Sequence, residues 1–142
     1  KQTPHYRILA KENDTLIGQV GLDYRVMKLG NSPIKVLGLI DICIYSRHRE
    51  NGIGEKLLQK ADKLSLEFSE RIDFLFLVTN IPTYFEKYGF RRVEPTTTWL
   101  KIHQHKNYGV GTEKINDTHF MIKSIKDKKW EGENLDLLGY MY

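Results

Sequence analysis

The residues best suited to chemistry lie between Ile42 and Glu55, in the stretch ICIYSRHRENGIGE. An apolar segment runs into a basic loop, Arg47-His48-Arg49. Gly52 and Gly54 then open a pattern of helical period. The first turn of a helix carries unpaired N–H groups and a partial positive charge, so it attracts anions. Glycine lets phosphate oxygens approach the backbone with no Cβ in the way. Glu50 and Glu55 oppose an anion, although acidic residues also favour a helix start that binds nothing. The same glycines fit a tight turn that lets a helix pack closely on a sheet. The stretch is not a P-loop, because no Gly-Lys-Ser/Thr follows. Nor is it a dinucleotide fingerprint, because Leu57 stands where the third glycine belongs.

A second group of residues could handle protons. Asp41 interrupts the apolar run GLIDICI, where a carboxylate is costly unless paired or used. It reads either as a base or acceptor-binding group, or as a strand-break residue bonded to backbone. Tyr84 and Tyr88 are candidate acids, or else core and rim tyrosines with satisfied hydroxyls. Cys43 is a lone strand cysteine of the kind that is normally buried and inert. His5, His48 and His119 have no evident partner and read as surface groups.

The elements that would hold these residues follow from hydrophobic periodicity. Strands are expected at His5–Ala10, Leu16–Val26 and Ile34–Ile44, with turns at Glu12-Asn13-Asp14 and Gly30-Asn31-Ser32-Pro33. This opening is most economically an antiparallel meander. Ile53, Leu57, Leu58, Ala61, Leu64 and Phe68 form one stripe, so Gly52 to about Ser69 is an amphipathic helix. Ile72–Val78 is an apolar run that suits a strand buried on both faces. The helix joins it to Ile34–Ile44 by a crossover, which makes the two strands parallel and the unit right-handed. Ile81–Tyr88 reads as a short helix capped by Gly89, and Phe90–Val93 as a strand. Beyond Pro95, Thr118–Ile125 reads as a strand and Leu135–Tyr140 as a turn or short helix. The fold class is α+β.

Composition narrows the setting. The 142 residues make one domain, 40% apolar and 28% charged, as in an ordinary globular protein. No apolar run nears the roughly 20 residues of a membrane span, so no membrane partner is expected. The first residues have no signal-peptide core, and the sequence does not begin with Met, as a piece of a longer chain would not. One cysteine fits a reducing compartment, such as the cytoplasm. No Cys/His spacing suggests a metal site. The net charge of +4 suits an anionic small ligand as well as nucleic acid. The Lys123–Lys129 run contains no nucleic-acid reading motif and reads as a solvated turn.

Arg49-Glu50-Asn51-Gly52-Ile53-Gly54 resembles the R/Q-x-x-G-x-G/A signature of the GNAT N-acetyltransferase superfamily. Tyr84-Phe85-Glu86-Lys87-Tyr88-Gly89-Phe90 resembles its second hallmark, Y-x-x-x-G-F, and the likeness runs from about His5 to Val93. The resemblance implies a mixed, mostly antiparallel sheet whose parallel strand–helix–strand unit holds acetyl-CoA, with no metal. The family's first strand and two helices would lie before His5 and are expected to be absent from this sequence. The pantetheine arm would lie beside Ile42, Cys43 and Ile44. The pyrophosphate would sit on the turn formed by Arg49, Glu50, Asn51, Gly52, Ile53, Gly54 and Glu55. The activity implied is direct transfer of an acetyl group to a primary amine, with a small-molecule acceptor and, as is frequent in the family, a homodimer. The family's usual acid is the tyrosine of Y-x-x-x-G-F, a place held here by Phe85, with Tyr84 one residue earlier. A coenzyme-binding module weakened in catalysis, serving as a sensor or as part of a larger enzyme, is the alternative. The segment Asp117–Met121 and the final LDLLGYMY resemble the tail of aminoglycoside 2′-N-acetyltransferase-like members. That likeness would put Asp136 or the Tyr142 carboxylate near a cationic acceptor.

Overall fold

The computed structural model describes residues 3–45, 51–68, 71–103, 106–114 and 118–142. The opening meander is present as β1 (Tyr6–Glu12), β2 (Thr15–Leu29) and β3 (Ser32–Ile44), paired antiparallel in sequence order. Asn13 and Asp14 make the first turn with φ of 48° and 68°, backbone angles that Asn and Asp tolerate. The helix α1 (Ile53–Glu67) buries Leu57, Leu58, Ala61 and Ser65 against the sheet. Ser65 is tolerated inside because its hydroxyl donates to the Asp62 carbonyl at 2.6 Å. Strand β4 (Phe74–Thr79) lies parallel to β3, as the crossover requires. Phe74, Leu75, Phe76 and Leu77 are each no more than 1% exposed, so β4 is buried on both faces. Asp73 ties its start to β3: the Lys35 N–H donates to its carboxylate at 2.9 Å, and its own N–H donates to the Lys35 carbonyl at 2.8 Å.

The remaining elements are α2 (Pro82–Glu86), β5 (Arg91–Val93), β6 (Thr96–His103), β7 (Lys106–Lys114), β8 (His119–Ser124) and β9 (Asn134–Tyr140). The segment Leu135–Tyr140, expected to be a turn or short helix, is therefore a strand. Leu135 and Leu137 are buried between exposed or half-buried neighbours, and β9 is held by β2 on one side and by β6, in parallel, on the other. The sheet among the described residues has 9 strands in the order β5-β8-β4-β3-β2-β9-β6-β7, with β1 also on β2. It is mixed and mostly antiparallel, as the α+β expectation has it. One face carries α1, α2 and the cluster around Leu22, Leu37, Leu75 and Phe85. The other face carries Met27, Val36, Phe74, Phe76 and Phe120. In the Lys123–Lys129 turn, Lys123 bonds to Asp62 on α1, and Lys126, Lys128 and Lys129 are exposed. No helix among the described residues is long and apolar enough to cross a membrane.

Candidate functional site

Parallel pairing between β3 and β4 ends early. The partners are Val36 with Phe74, Leu37 with Leu75 and Gly38 with Phe76, and there the ladder stops. Both strands continue, β3 to Ile44 and β4 to Thr79, but they diverge. The cause lies on the opposite edge of β3. Its register against β2 shifts between Gln19 and Gly21, so Asp41 and Ile42 together face Val20. This is a β-bulge, which bends a strand and increases its twist. Asp41 adopts the left-handed φ of 52°, which aspartate accepts more readily than a β-branched residue would. The carboxylate flagged in the apolar run therefore marks the bend.

The diverging strands enclose a cleft of about 1160 Å³. That slightly exceeds the roughly 300–1,000 Å³ of sites for compact ligands and suits an elongated one. Leu39 to Ile44 form one wall, Leu77 to Thr79 the other, Gly52 to Glu55 the outer end, and Ile81, Tyr84, Phe85 and Tyr88 the α2 side. Beyond Gly38, β4 does not engage the near edge of β3, so an extended ligand could bond along it as a strand does.

At the outer end, Gly52 is the N-cap of α1 with φ of 76°, and no side chain caps the helix. Gly54 has a different reason to be glycine. It is buried, and a Cβ there would collide with the Tyr84 hydroxyl and come within 3.1 Å of Ile44 Cδ1. The space that the sequence suggested would admit phosphate is thus occupied by Tyr84. The uncapped N–H groups of the first turn remain as the anion-binding element.

The structure brings together Asp41, Ile42, Cys43, Ile44, Gly52, Ile53, Gly54, Glu55 and Tyr84 around one cleft. Asn51 is exposed beside it. Arg47, His48, Arg49 and Glu50 lie outside the described residues, as does Asp117. Cys43 is exposed rather than buried, although Gln19 of β2 pairs with it. Phe85 is 5% exposed and packs edge-on to Phe90 at 6.0 Å, so it serves the core. Tyr84 lies edge-on to Tyr88 at 5.3 Å. Burial, then Tyr88 and Glu55, raises the Tyr84 pKa above its usual value. The Tyr84 hydroxyl sits at the start of α1, while Asp41 sits farther along the cleft. His5 is exposed, as expected, but is not alone: its Nδ1 lies 3.2 Å from Asp23 and 3.0 Å from the Tyr24 N–H. One nitrogen cannot both accept from Tyr24 and donate to Asp23, so these contacts exclude each other.

Sequence reasoning missed Thr79 as a lining residue, and it brought Tyr142 toward the acceptor only through its carboxylate, whereas Tyr142 lines the cleft beside Asp41. Burial pushes the Tyr142 pKa well above its ordinary value of 10.0, with Arg25 opposing and Asp23 adding. The folded state thus holds this proton more tightly than the unfolded chain does. Its contribution to stability is complete below pH 10 and declines as pH rises above it, by up to about 1.4 kcal/mol per pH unit. Urea unfolding at pH 9, 10 and 11 should show that decline (about those values, spanning an ordinary tyrosine pKa), and Tyr142→Phe should flatten it.

Residues 4–92 match the family described as acetyltransferase (GNAT) domain. No curated protein matches the chain in sequence. Among solved structures, the chain is similar to an acetyltransferase of the GNAT family from Staphylococcus aureus, with TM-score 0.54 and 22% identity over 84% of this chain and 67% of that one. It is similar to Arabidopsis thaliana Naa50 in complex with the bisubstrate analogue CoA-Ac-MVNAL, with TM-score 0.55 and 16% identity over 84% and 72% of the two chains. It is also similar to a Bacillus anthracis protein in complex with acetyl coenzyme A, with TM-score 0.56 and 17% identity over 88% and 65%. At these identities the likeness establishes the fold.

Proposed function

The chain belongs to the acetyltransferase (GNAT) domain family, and from that premise we propose that it transfers the acetyl group of acetyl-CoA directly to a primary amine of a small acceptor. The observation that carries this reading is the cleft opened by the divergence of β3 and β4, which ends on the uncapped first turn of α1. The pyrophosphate would take the N–H groups of Gly54 and Glu55. The pantetheine arm would follow β3 from Ile44 toward Asp41, which puts the thioester at the inner end of the cleft. Asp41, at the bulge, is placed to attract a cationic amine or accept its proton. Two Bacillus anthracis and Arabidopsis neighbours solved with acetyl coenzyme A or a CoA conjugate support this choice of cosubstrate.

The residues present fit such a cosubstrate. Direct transfer needs a neutral amine, a polarised carbonyl and a proton for the departing sulfur. Release of free thiol from acetyl-CoA across a panel of small amines tests the activity. A protein that binds coenzyme A tightly but releases no thiol with any amine would instead be the weakened module, a reading that the core position of Phe85 favours.

Tyr84 is proposed as a coenzyme contact, because its hydroxyl lies beside Gly54 at the phosphate end. Tyr84→Phe should weaken coenzyme A affinity by about threefold to tenfold, the worth of one hydrogen bond, and lower kcat by less. A fall in kcat of a hundredfold or more (about the worth of a general acid) at unchanged affinity would make Tyr84 the acid instead.

A further inference from the structure

One polar group at the inner end of the cleft has no part in that account. The Tyr142 ring packs 5.7 Å from Phe76, and the Arg25 guanidinium lies 4.5 Å from its centroid. Its hydroxyl reaches over Gly38, where a Cβ would collide with it. Gly38 belongs to the last pair of the β3–β4 ladder, so this hydroxyl stands where the strands part. It is buried without a hydrogen-bond partner, and Tyr142 lines the cleft together with Leu39, Ile40 and Asp41. Arg25 can only donate, so its approach to the phenol oxygen still leaves the O–H proton without an acceptor. Native structures rarely bury a donor with nothing to receive it unless a ligand or water does so.

We infer that Tyr142 is a catalytic residue of the proposed acetyl transfer, its hydroxyl donating a hydrogen bond to the thioester carbonyl oxygen. The inference rests on the coenzyme reading above, which places the reacting end of the pantetheine arm at the inner end of the cleft. In the reaction, the lone pair of the neutral amine forms a C–N bond to the carbonyl carbon. The C=O π pair moves onto oxygen and returns as the C–S bond breaks, and sulfur leaves with the bonding pair. The proton lost by the amine nitrogen reaches that sulfur through Asp41 or water, so the products are an amide and a thiol. Negative charge on the carbonyl oxygen is transient, and a donor fixed beforehand in a water-poor pocket stabilises it most at that moment. Burial makes Tyr142 hold its proton, so it stays neutral and donates a hydrogen bond without giving the proton up. This role differs from that of an acid for the thiolate, and it does not require a tyrosine at Phe85.

The test compares Tyr142→Phe with wild type by calorimetry with coenzyme A and with acetyl-CoA, by turnover with an accepted amine, and by thermal unfolding of the ligand-free proteins. Coenzyme A affinity should stay within about twofold, because the free thiol has no carbonyl to receive the bond. Acetyl-CoA affinity should fall by about threefold to tenfold, and kcat by about a hundredfold. The unfolding midpoint should hold or rise, since the phenyl ring leaves no buried hydroxyl unsatisfied. If Tyr142→Phe binds acetyl-CoA as wild type does, or loses both ligands equally, the inference is wrong. Gly38→Ala provides a second arm should Tyr142→Phe not fold: its Cβ displaces the hydroxyl, so the same changes in affinity and kcat are expected and the same results count against the inference, while its clash with the ring should lower the unfolding midpoint. Wild-type protein that binds neither ligand would overturn the coenzyme reading and this inference with it, whereas wild-type binding with an unaffected variant overturns this inference alone.

Discussion

Gly54→Val is expected to abolish measurable coenzyme A binding, a loss of at least about a hundredfold or 2.7 kcal/mol. The branched side chain would drive into the Tyr84 hydroxyl and Ile44, displacing the α2 side of the cleft from the start of α1. Overpacking of this kind also costs about 1–3 kcal/mol of stability. A double-mutant cycle separates this contact from a general intolerance of side chains. Gly54→Ala alone should destabilise, because its Cβ meets the Tyr84 oxygen. In a Tyr84→Phe background that oxygen is gone and the Ile44 contact at 3.1 Å is the tightest left, so the same change should cost less. Urea unfolding of the four proteins reads the coupling. Strict additivity would mean that Tyr84 is not what Gly54 accommodates.

Asp23→Ala should have the largest effect on stability, about 3–5 kcal/mol. Asp23 is 0% exposed, and its carboxylate lies 3.5 Å from Arg25 Nε, itself on a side chain that is 11% exposed. Removing the carboxylate takes a counter-charge away from a largely buried guanidinium. The Arg92–Glu86 pair is the contrast: its nitrogen and oxygen are 2.9 Å apart, but its side chains are 43% and 45% exposed. Solvent screens that pair, so Glu86→Ala should cost no more than about 1 kcal/mol. Equal costs for the two substitutions, measured by urea unfolding, would contradict the view that burial sets the value of the Asp23 pair. Arg25 also stacks on Tyr142, so loss of Asp23 should in addition disturb the inner end of the cleft.

The parts of the fold that carry strong local patterns were legible in the sequence. The stripe from Leu57 to Ala61 and the apolar run from Ile72 to Leu77 each require one geometry, and both have it. The glycines at 52 and 54 pointed to the helix start, although two different reasons for glycine, backbone angle and packing space, look alike in a sequence. Asp41 stood out as a charge in an apolar run, but only the strand register shows that it marks a bulge. The C-terminal third was harder to read. β7 carries Gly109 and Gly111, which weaken any strand signal, and β9 is defined by pairing with β2 and β6, partners distant in the chain. Leu138, at φ of 52°, interrupts the alternation that Leu135 and Leu137 begin. The C-terminal likeness drew attention to the Tyr142 carboxylate but not to its ring, because what makes room for the ring is the missing side chain of Gly38.

The central claim is that coenzyme A lies along β3 with its phosphates on the first turn of α1. Amide hydrogen exchange with and without saturating coenzyme A tests this most directly. Protection is predicted in two separate segments, Leu39 to Ile44 and Gly52 to Glu55, with little change along β6 and β9, which lie outside the cleft. Slowed exchange elsewhere on the sheet, with those two segments unchanged, would contradict it.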